Sequence, residues 1–185
     1  NAGTTTAFFG QLDNNFAPLL LSLTGNSSVL DLAQLEVLNG GTLSDGQHSL
    51  SIFASDGSGR TAFDNTTFIL DTNAPVITAQ LANDTGVIDD VTNDPSITGS
   101  IEDISAIASF RAGFDDAAVD DFVDVSSLLQ PDNSFTFDAT LIDAINGEAL
   151  SAGEHTLYLI ATDAPGSISE RFSKSFTLEG DVQSL

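Results

Sequence analysis

The chain of 185 residues has no cysteine, no tryptophan and no methionine, a single tyrosine, and only four lysines and arginines against 27 acidic residues. Without cysteine there is no disulfide staple and no thiolate metal site, so the redox compartment is not recorded in the sequence. Four cations leave no basic surface for a nucleic-acid backbone. The net charge of −23 would be repelled by an anionic membrane. No apolar run approaches the roughly 18–20 residues of a membrane-spanning helix. With Tyr158 alone and no tryptophan, the chain offers a poor platform for stacking sugars. It does not begin with methionine and neither end resembles a signal peptide, so it reads as a mature segment or an excised piece.

What is present is a packed core. Hydrophobic residues make up 41% of the chain and its mean hydropathy is +0.12, which places it among folded proteins despite the charge. The acid is mostly aspartate, 21 Asp to 6 Glu. Aspartate caps turns by accepting from nearby backbone N–H groups, and it is a hard oxygen donor suited to Ca²⁺.

The chain repeats itself. LSDGQHSLSIFASD at 43–56 aligns with LSAGEHTLYLIATD at 150–163, so Leu43, Gly46, His48 and Asp56 match Leu150, Gly153, His155 and Asp163. The same offset pairs Asp31 with Asp138 and Asn39-Gly40 with Asn146-Gly147, and FILD (68–71) matches FTLE (176–179) one residue later. Such self-similarity marks a repeated structural unit. Alternation and turn punctuation predict seven strands in the second copy, at 75–82, 96–102, 107–114, 122–129, 134–142, 154–163 and 168–179. The first copy has five, at 4–11, 17–24, 27–35, 48–56 and 61–71. Phe8 corresponds to Phe110, so the equivalents of the first two strands fall upstream of Asn1. Seven short strands in this length predict an all-β fold of tandem immunoglobulin-like β-sandwiches, the first lacking its N-terminal strands. The boundaries are 1–73 for the partial unit and 74–185 for the complete one. An incomplete sandwich exposes core and an unpaired edge, to be completed by upstream sequence or by a neighbouring chain.

Helical signals are short: Asp138 caps a turn that Gly147 closes, and Asp31 and Gly40 do the same in the first copy. Pro75 suits the start of an edge strand. Phe8, Phe53, Phe63, Phe68, Phe110, Phe135, Phe137, Phe172 and Phe176 fall mostly in strands and are expected between the sheets.

Four carboxylates, Asp84, Asp89, Asp90 and Asp94, lie in one loop that Gly86 lets fold tightly, a Ca²⁺ candidate whose plain counterpart is a solvated turn with Asp caps. It is not an EF-hand, since that spacing is missing. The run DDAAVDDFVD at 115–124 reads as a solvated loop. His48 and His155 occupy equivalent repeat positions, which suits a scaffold histidine bonded to a loop carbonyl better than a catalytic base. No catalytic residue set emerges, and no enzyme activity is expected.

In order between Asp71 and Asp163 come Asp-Thr-x-Ala-Pro, Leu-Ala-x-Asp-Thr-Gly, Thr-x-Asp-Pro-x-Ile-x-Gly, Leu-x-x-Gly-x-His-x-Leu and Ala-Thr-Asp. This set resembles the bacterial Ig-like domains repeated in large surface adhesins, covering 71–179 well and 26–71 as the back half of a preceding copy. Two departures stand out: Asp45 becomes Ala152 in the second copy, and Ala-Pro-Gly-Ser follows Asp163 where Gly-Asn is familiar. The resemblance implies a secreted or cell-surface bacterial extender module, stacked against neighbouring repeats of the same chain and rigidified by structural Ca²⁺ at the joints. Host or surface glycans or proteins would be bound through another region. In an immunoglobulin topology Asp163 should approach Asp71 and Asn73, with Glu102 and Asp103 nearby, so that an ion there would brace the joint. A hydrogen-bonded linker with an ordinary turn is the plainer reading of those residues. The alternative function is a carbohydrate- or protein-binding β-sandwich module, accessory to a secreted enzyme.

Overall fold

Alternation and capping build both halves of the chain. A computed structural model describes residues 5–18 and 29–180 and divides the chain into two compact units, Asn1–Thr72 and Asn73–Leu185.

In the first unit β1 (Thr5–Leu12), β2 (Asn15–Pro18), β3 (Gly46–Asp56) and β4 (Thr61–Leu70) form one antiparallel sheet in the order β2-β1-β3-β4. Its inward face carries Leu12 and Leu50, which with Leu38 of helix α1 (Leu32–Asn39) form a small buried core. Phe8, Ile52 and Phe68 pack against that core and are only partly buried. The expected strand at 27–35 is corrected. Asp31 accepts from the Gln34 backbone N–H, and the Gln34 side chain accepts in return from the Asp31 N–H, a capping box that turns the chain into α1. Gly40, left-handed at φ 79°, ends it. Beyond Pro18, most of the strand expected at 17–24 lies outside the described residues.

The second unit is an immunoglobulin-like β-sandwich. Strands β5 (Val76–Leu81), β7 (Ile97–Glu102) and β10 (Ser134–Phe137) make a three-stranded sheet in the order β10-β7-β5. The facing sheet is β6-β12-β11-β8-β9, from β6 (Val91–Thr92), β8 (Ile107–Phe114), β9 (Val123–Asp124), β11 (Gly153–Asp163) and β12 (Phe172–Leu178). Alternate residues of both sheets meet in one core, with Ile97, Phe110, Ala112, Phe137, Leu157 and Leu159 fully buried. Pro75 stands just before β5, which is an edge strand.

Three expected strands are shorter than their periodicity suggests, and the stretch 168–179 begins only at Phe172 of β12, after a single bridge from Ile168 to Thr162. The stretch 122–129 keeps only β9, because Asp124 accepts from both the backbone N–H and the hydroxyl of Ser126 and bends the chain into a 3₁₀ turn, Ser126–Leu128. The stretch 134–142 stops at Phe137, where Asp138 accepts from the Leu141 N–H and starts helix α2 (Ala139–Asn146), two turns rather than one. Ile142 and Ile145 of α2 are buried in the core.

Gly99, in the middle of β7, is a close-approach glycine. A β-carbon there would lie 2.3 Å from the Thr78 carbonyl oxygen and 2.4 Å from Cζ of Phe135, whose ring covers the position. Gly99→Ala is therefore expected to destabilise the second unit by about 1–3 kcal/mol, the usual cost of overpacking. Tyr158, the only tyrosine, sits in this unit, and its fluorescence through a urea titration reports the change.

Candidate metal centre

The centre is built at the end of β11. Strand alternation sends His155, Leu157, Leu159, Ala161 and Asp163 of β11 inward, and the pairing with β8 shifts register between Thr162 and Asp163. Asp163 is 1% exposed. Its Oδ1 accepts from the backbone N–H groups of Gly166 and Ser167, both at 2.6 Å, in a turn that Gly166 completes at φ 107°. The Ala-Pro-Gly-Ser departure thus still wraps one carboxylate oxygen. The other, Oδ2, is buried and has no hydrogen-bond partner. Asp103, in the loop after β7, accepts from the Ser105 N–H at 2.6 Å and brings a carboxylate oxygen within 4.8 Å of one from Asp163.

A buried carboxylate oxygen without a donor forfeits its hydration for nothing, and a second carboxylate close by adds repulsion. A divalent cation answers both, and Ca²⁺ takes oxygen ligands of this kind with waters and carbonyls completing six to eight. The donor set fits that ion and offers no nitrogen or sulfur that would favour zinc. Of the other residues named for this region, Glu102 is exposed at the last position of β7, opposite Val76. Asp71 is half-buried directly after β4 in the first unit, and Asn73 is exposed at the start of the second.

The loop carboxylates at 84–94 are engaged separately. Asp94 takes the Ser96 hydroxyl and N–H on Oδ1 and the Asn83 amide on Oδ2, and these bonds, the Ser96 hydroxyl foremost, hold its carboxyl below the usual range. Asp84 accepts from the Asp90 N–H, Asp90 is paired with Lys174, and Asp89 is exposed. Among the described residues, no three carboxylates of this loop lie within 4.8 Å of one another.

No family model matches the chain, and no curated protein matches it in sequence. Solved structures do resemble it. The fibronectin(III)-like modules of CbhA from Clostridium thermocellum are 13% identical with a TM-score of 0.38, covering 97% of this chain and 80% of that one. A tetra-tandem repeat in the extending region of a large adhesion protein is 16% identical with a TM-score of 0.44, covering 96% of this chain and 42% of that one. Dimeric latent PorU from Porphyromonas gingivalis is 15% identical with a TM-score of 0.47, covering 97% of this chain and 20% of that one. At such identities and scores these likenesses bear on neither activity nor ligand.

The histidines do make the loop-carbonyl contact expected of them, and each has a second partner that the repeat alignment did not name. In the first unit His48 Nε2 lies 2.8 Å from the Ser44 carbonyl and Nδ1 lies 2.8 Å from Asp13 Oδ2. In the second, His155 repeats both distances with Ser151 and Asp115. Each aspartate is left-handed, at φ 51° and 50°, and also accepts from the backbone N–H of Ser49 or Thr156. Asp115 is therefore a structural member of a run expected to be solvated, while Asp116, Asp120 and Asp121 are exposed. A carbonyl and a carboxylate only accept, so the arrangement is fully bonded when both ring nitrogens donate, which favours the protonated imidazole. With both nitrogens engaged, neither ring is placed to act as a base.

For His48, the Asp13 bond and then the Ser44 carbonyl raise its pKa against the opposing effect of burial. For His155 burial is the largest single influence and lowers it, but the Asp115 bond and the Ser151 carbonyl together outweigh it and the net shift is upward. A histidine raised on folding lends its stability fully below its unfolded value of about 6.5, and loses it as pH climbs through the folded value. Stability is thus expected to fall above about pH 6.5. The loss is about 1–2 kcal/mol per pair, set low because the aspartates are 37% and 40% exposed. His155→Gln should flatten that slope for the second unit in Tyr158-detected unfolding; an unchanged slope would show that the pair does not carry it.

Proposed function

We propose that the chain is a structural extender module of an extracellular or surface-bound bacterial adhesin, working by holding length and direction rather than by catalysis. Neighbouring repeats of the same chain are its partners, and structural Ca²⁺ is its cofactor. The observation that carries the calcium part is the donorless, buried Oδ2 of Asp163 with the Asp103 carboxylate beside it. The same ion is assigned to Asp71 and Asn73 because they precede Pro75 in the covalent joint, where ligands from both sides of the linker would restrict bending. Glu102 is assigned no more than an outer role, being exposed. Asp84 and Asp94 are assigned to the loop's own hydrogen bonds, Asp90 to Lys174, and Asp89 to solvent.

Calorimetric titration of calcium into the chelator-treated chain tests the site. Binding is expected for the parent chain, a loss of at least tenfold in affinity for Asp163→Asn, and a weaker loss for Asp71→Asn. Binding that survives Asp163→Asn would remove this centre from the account.

A further inference from the structure

The outward face of the first unit's sheet carries a row of phenylalanines that crosses all four strands. Phe9 of β1 stands opposite Phe53 of β3, and Phe53 stands opposite Phe63 of β4. Phe16 of β2 is opposite Gln11, one outward step from Phe9. The rings touch in sequence. Phe9 and Phe16 stack at 5.6 Å and 9°, Phe16 meets Phe53 edge-on at 5.9 Å, and Phe53 meets Phe63 at 4.9 Å. Phe53 and Phe63, expected between sheets, thus point away from the Leu12–Leu50 core. Phe9, Phe16 and Phe63 are 37%, 59% and 61% exposed.

The second unit does not leave this face open. Phe122, placed just before β9 as Phe16 is in β2, is 5% exposed and stacks with Tyr158. Arg171 lies over the Tyr158 ring at 4.6 Å, and Arg111 donates to the Asp120 and Phe122 carbonyls. Among the described residues the first unit's row has none of this cover, and a contiguous exposed apolar patch on a protein surface marks an interaction site.

Charge selects the occupant. No outward position between Ala7 and Gln11, Ser49 and Ser55, or Thr61 and Ile69 is charged, in a chain of net charge −23. A polyanion would be repelled by the surrounding acid, and a cation would prefer that acid to this face. A second copy would bring the same excess negative charge against itself. Beside the rings, Asn65 donates its amide to the hydroxyls of Ser49 and Ser51, a neutral polar margin. Aromatic faces flanked by neutral hydroxyl and amide groups match a ligand with apolar C–H surfaces, many hydroxyls and no charge. We propose that the Phe16–Phe9–Phe53–Phe63 row is a docking face for an uncharged polysaccharide.

The low count of tyrosine and tryptophan argued against a sugar platform because composition does not show where phenylalanines gather. Gel electrophoresis of the full chain through a neutral β-glucan, a galactomannan and dextran, with alginate as the anionic counterpart, tests the face. Retardation is expected in at least one neutral polysaccharide and not in alginate. The double substitution Phe16→Ser and Phe63→Ser, both at exposed positions, should weaken it tenfold or more and leave the unfolding of the whole chain followed by far-ultraviolet circular dichroism unchanged. Lack of retardation across the neutral panel, or retardation indifferent to the substitutions, would overturn the proposal. So would self-association that the same substitutions abolish, since that result would give the row to a second copy.

Discussion

Phe110→Ala is expected to cost the second unit about 3–5 kcal/mol, a large share of the roughly 5–15 kcal/mol that separates a folded domain from its unfolded chain. Phe110 is fully buried in β8, and its ring meets Phe135 at 4.8 Å and Phe137 at 6.1 Å, both on β10 of the facing sheet. Removing it therefore empties the contact that joins the two sheets, and neither backbone can close the gap without breaking its own ladder. Phe8, its counterpart in the first unit, is only partly buried against a core of Leu12, Leu38 and Leu50. Phe8→Ala should cost less than half as much. Urea unfolding followed by Tyr158 fluorescence for the second unit and by far-ultraviolet circular dichroism for the whole chain gives both numbers. Equal losses would contradict the difference in packing between the two repeats.

Calcium at a hundredfold excess over its dissociation constant is expected to stabilise the second unit by about 2.7 kcal/mol, since a ligand bound only by the folded state contributes by mass action. Asp163→Asn should erase that response and also reveal its cause. The asparagine carbonyl can still accept from Gly166 and Ser167, while an amide replaces the oxygen that has no donor. In the presence of EGTA the variant should then melt no lower than the parent, because a buried charge with an acidic neighbour has been neutralised. Added calcium should raise the parent alone. A parent melt that excess EGTA leaves unmoved would end the calcium argument.

The features legible in the sequence were those whose chemistry is local. Asp31 and Asp138 cap helices with the N–H three residues ahead, and Gly40 and Gly147 end them, so a repeat of residue types is a repeat of structure. The β-sandwich followed from strand alternation, because inward positions such as Phe110, Ala112 and Phe114 or Leu157, Leu159 and Ala161 keep one period. The aspartate partners of His48 and His155 were missed because they sit in turns that follow other strands, Asp13 after β1 and Asp115 after β8. The main repeat is spaced by 107 residues, whereas the Phe8–Phe110 match is spaced by 102, and applying that second spacing five residues further pairs Asp13 with Asp115. The acidic loop shows the same limit of a local reading. Asp84, Asp90 and Asp94 are close in the chain, but each finds its own donor, so density of acid did not become convergence. Which phenylalanines face outward was hidden by strand register, as Phe8 and Phe9 differ by one step and lie on opposite sides of the sheet.

The two repeats finish their sheets differently. The three-stranded sheet of the second unit ends on β5 and β10, six and four residues long, and in its five-stranded sheet a two-residue strand flanks each border: β6 runs beside β12, and β9 beside β8. Such brief margins give a passing chain little backbone to grip. Among the described residues of the first unit, β4 has β3 on one side and no strand on the other, over ten residues with Asp64 as the single charge. That free selvage is the longest border among the described residues, a template on which a foreign strand carrying positive charge can be recruited by backbone pairing.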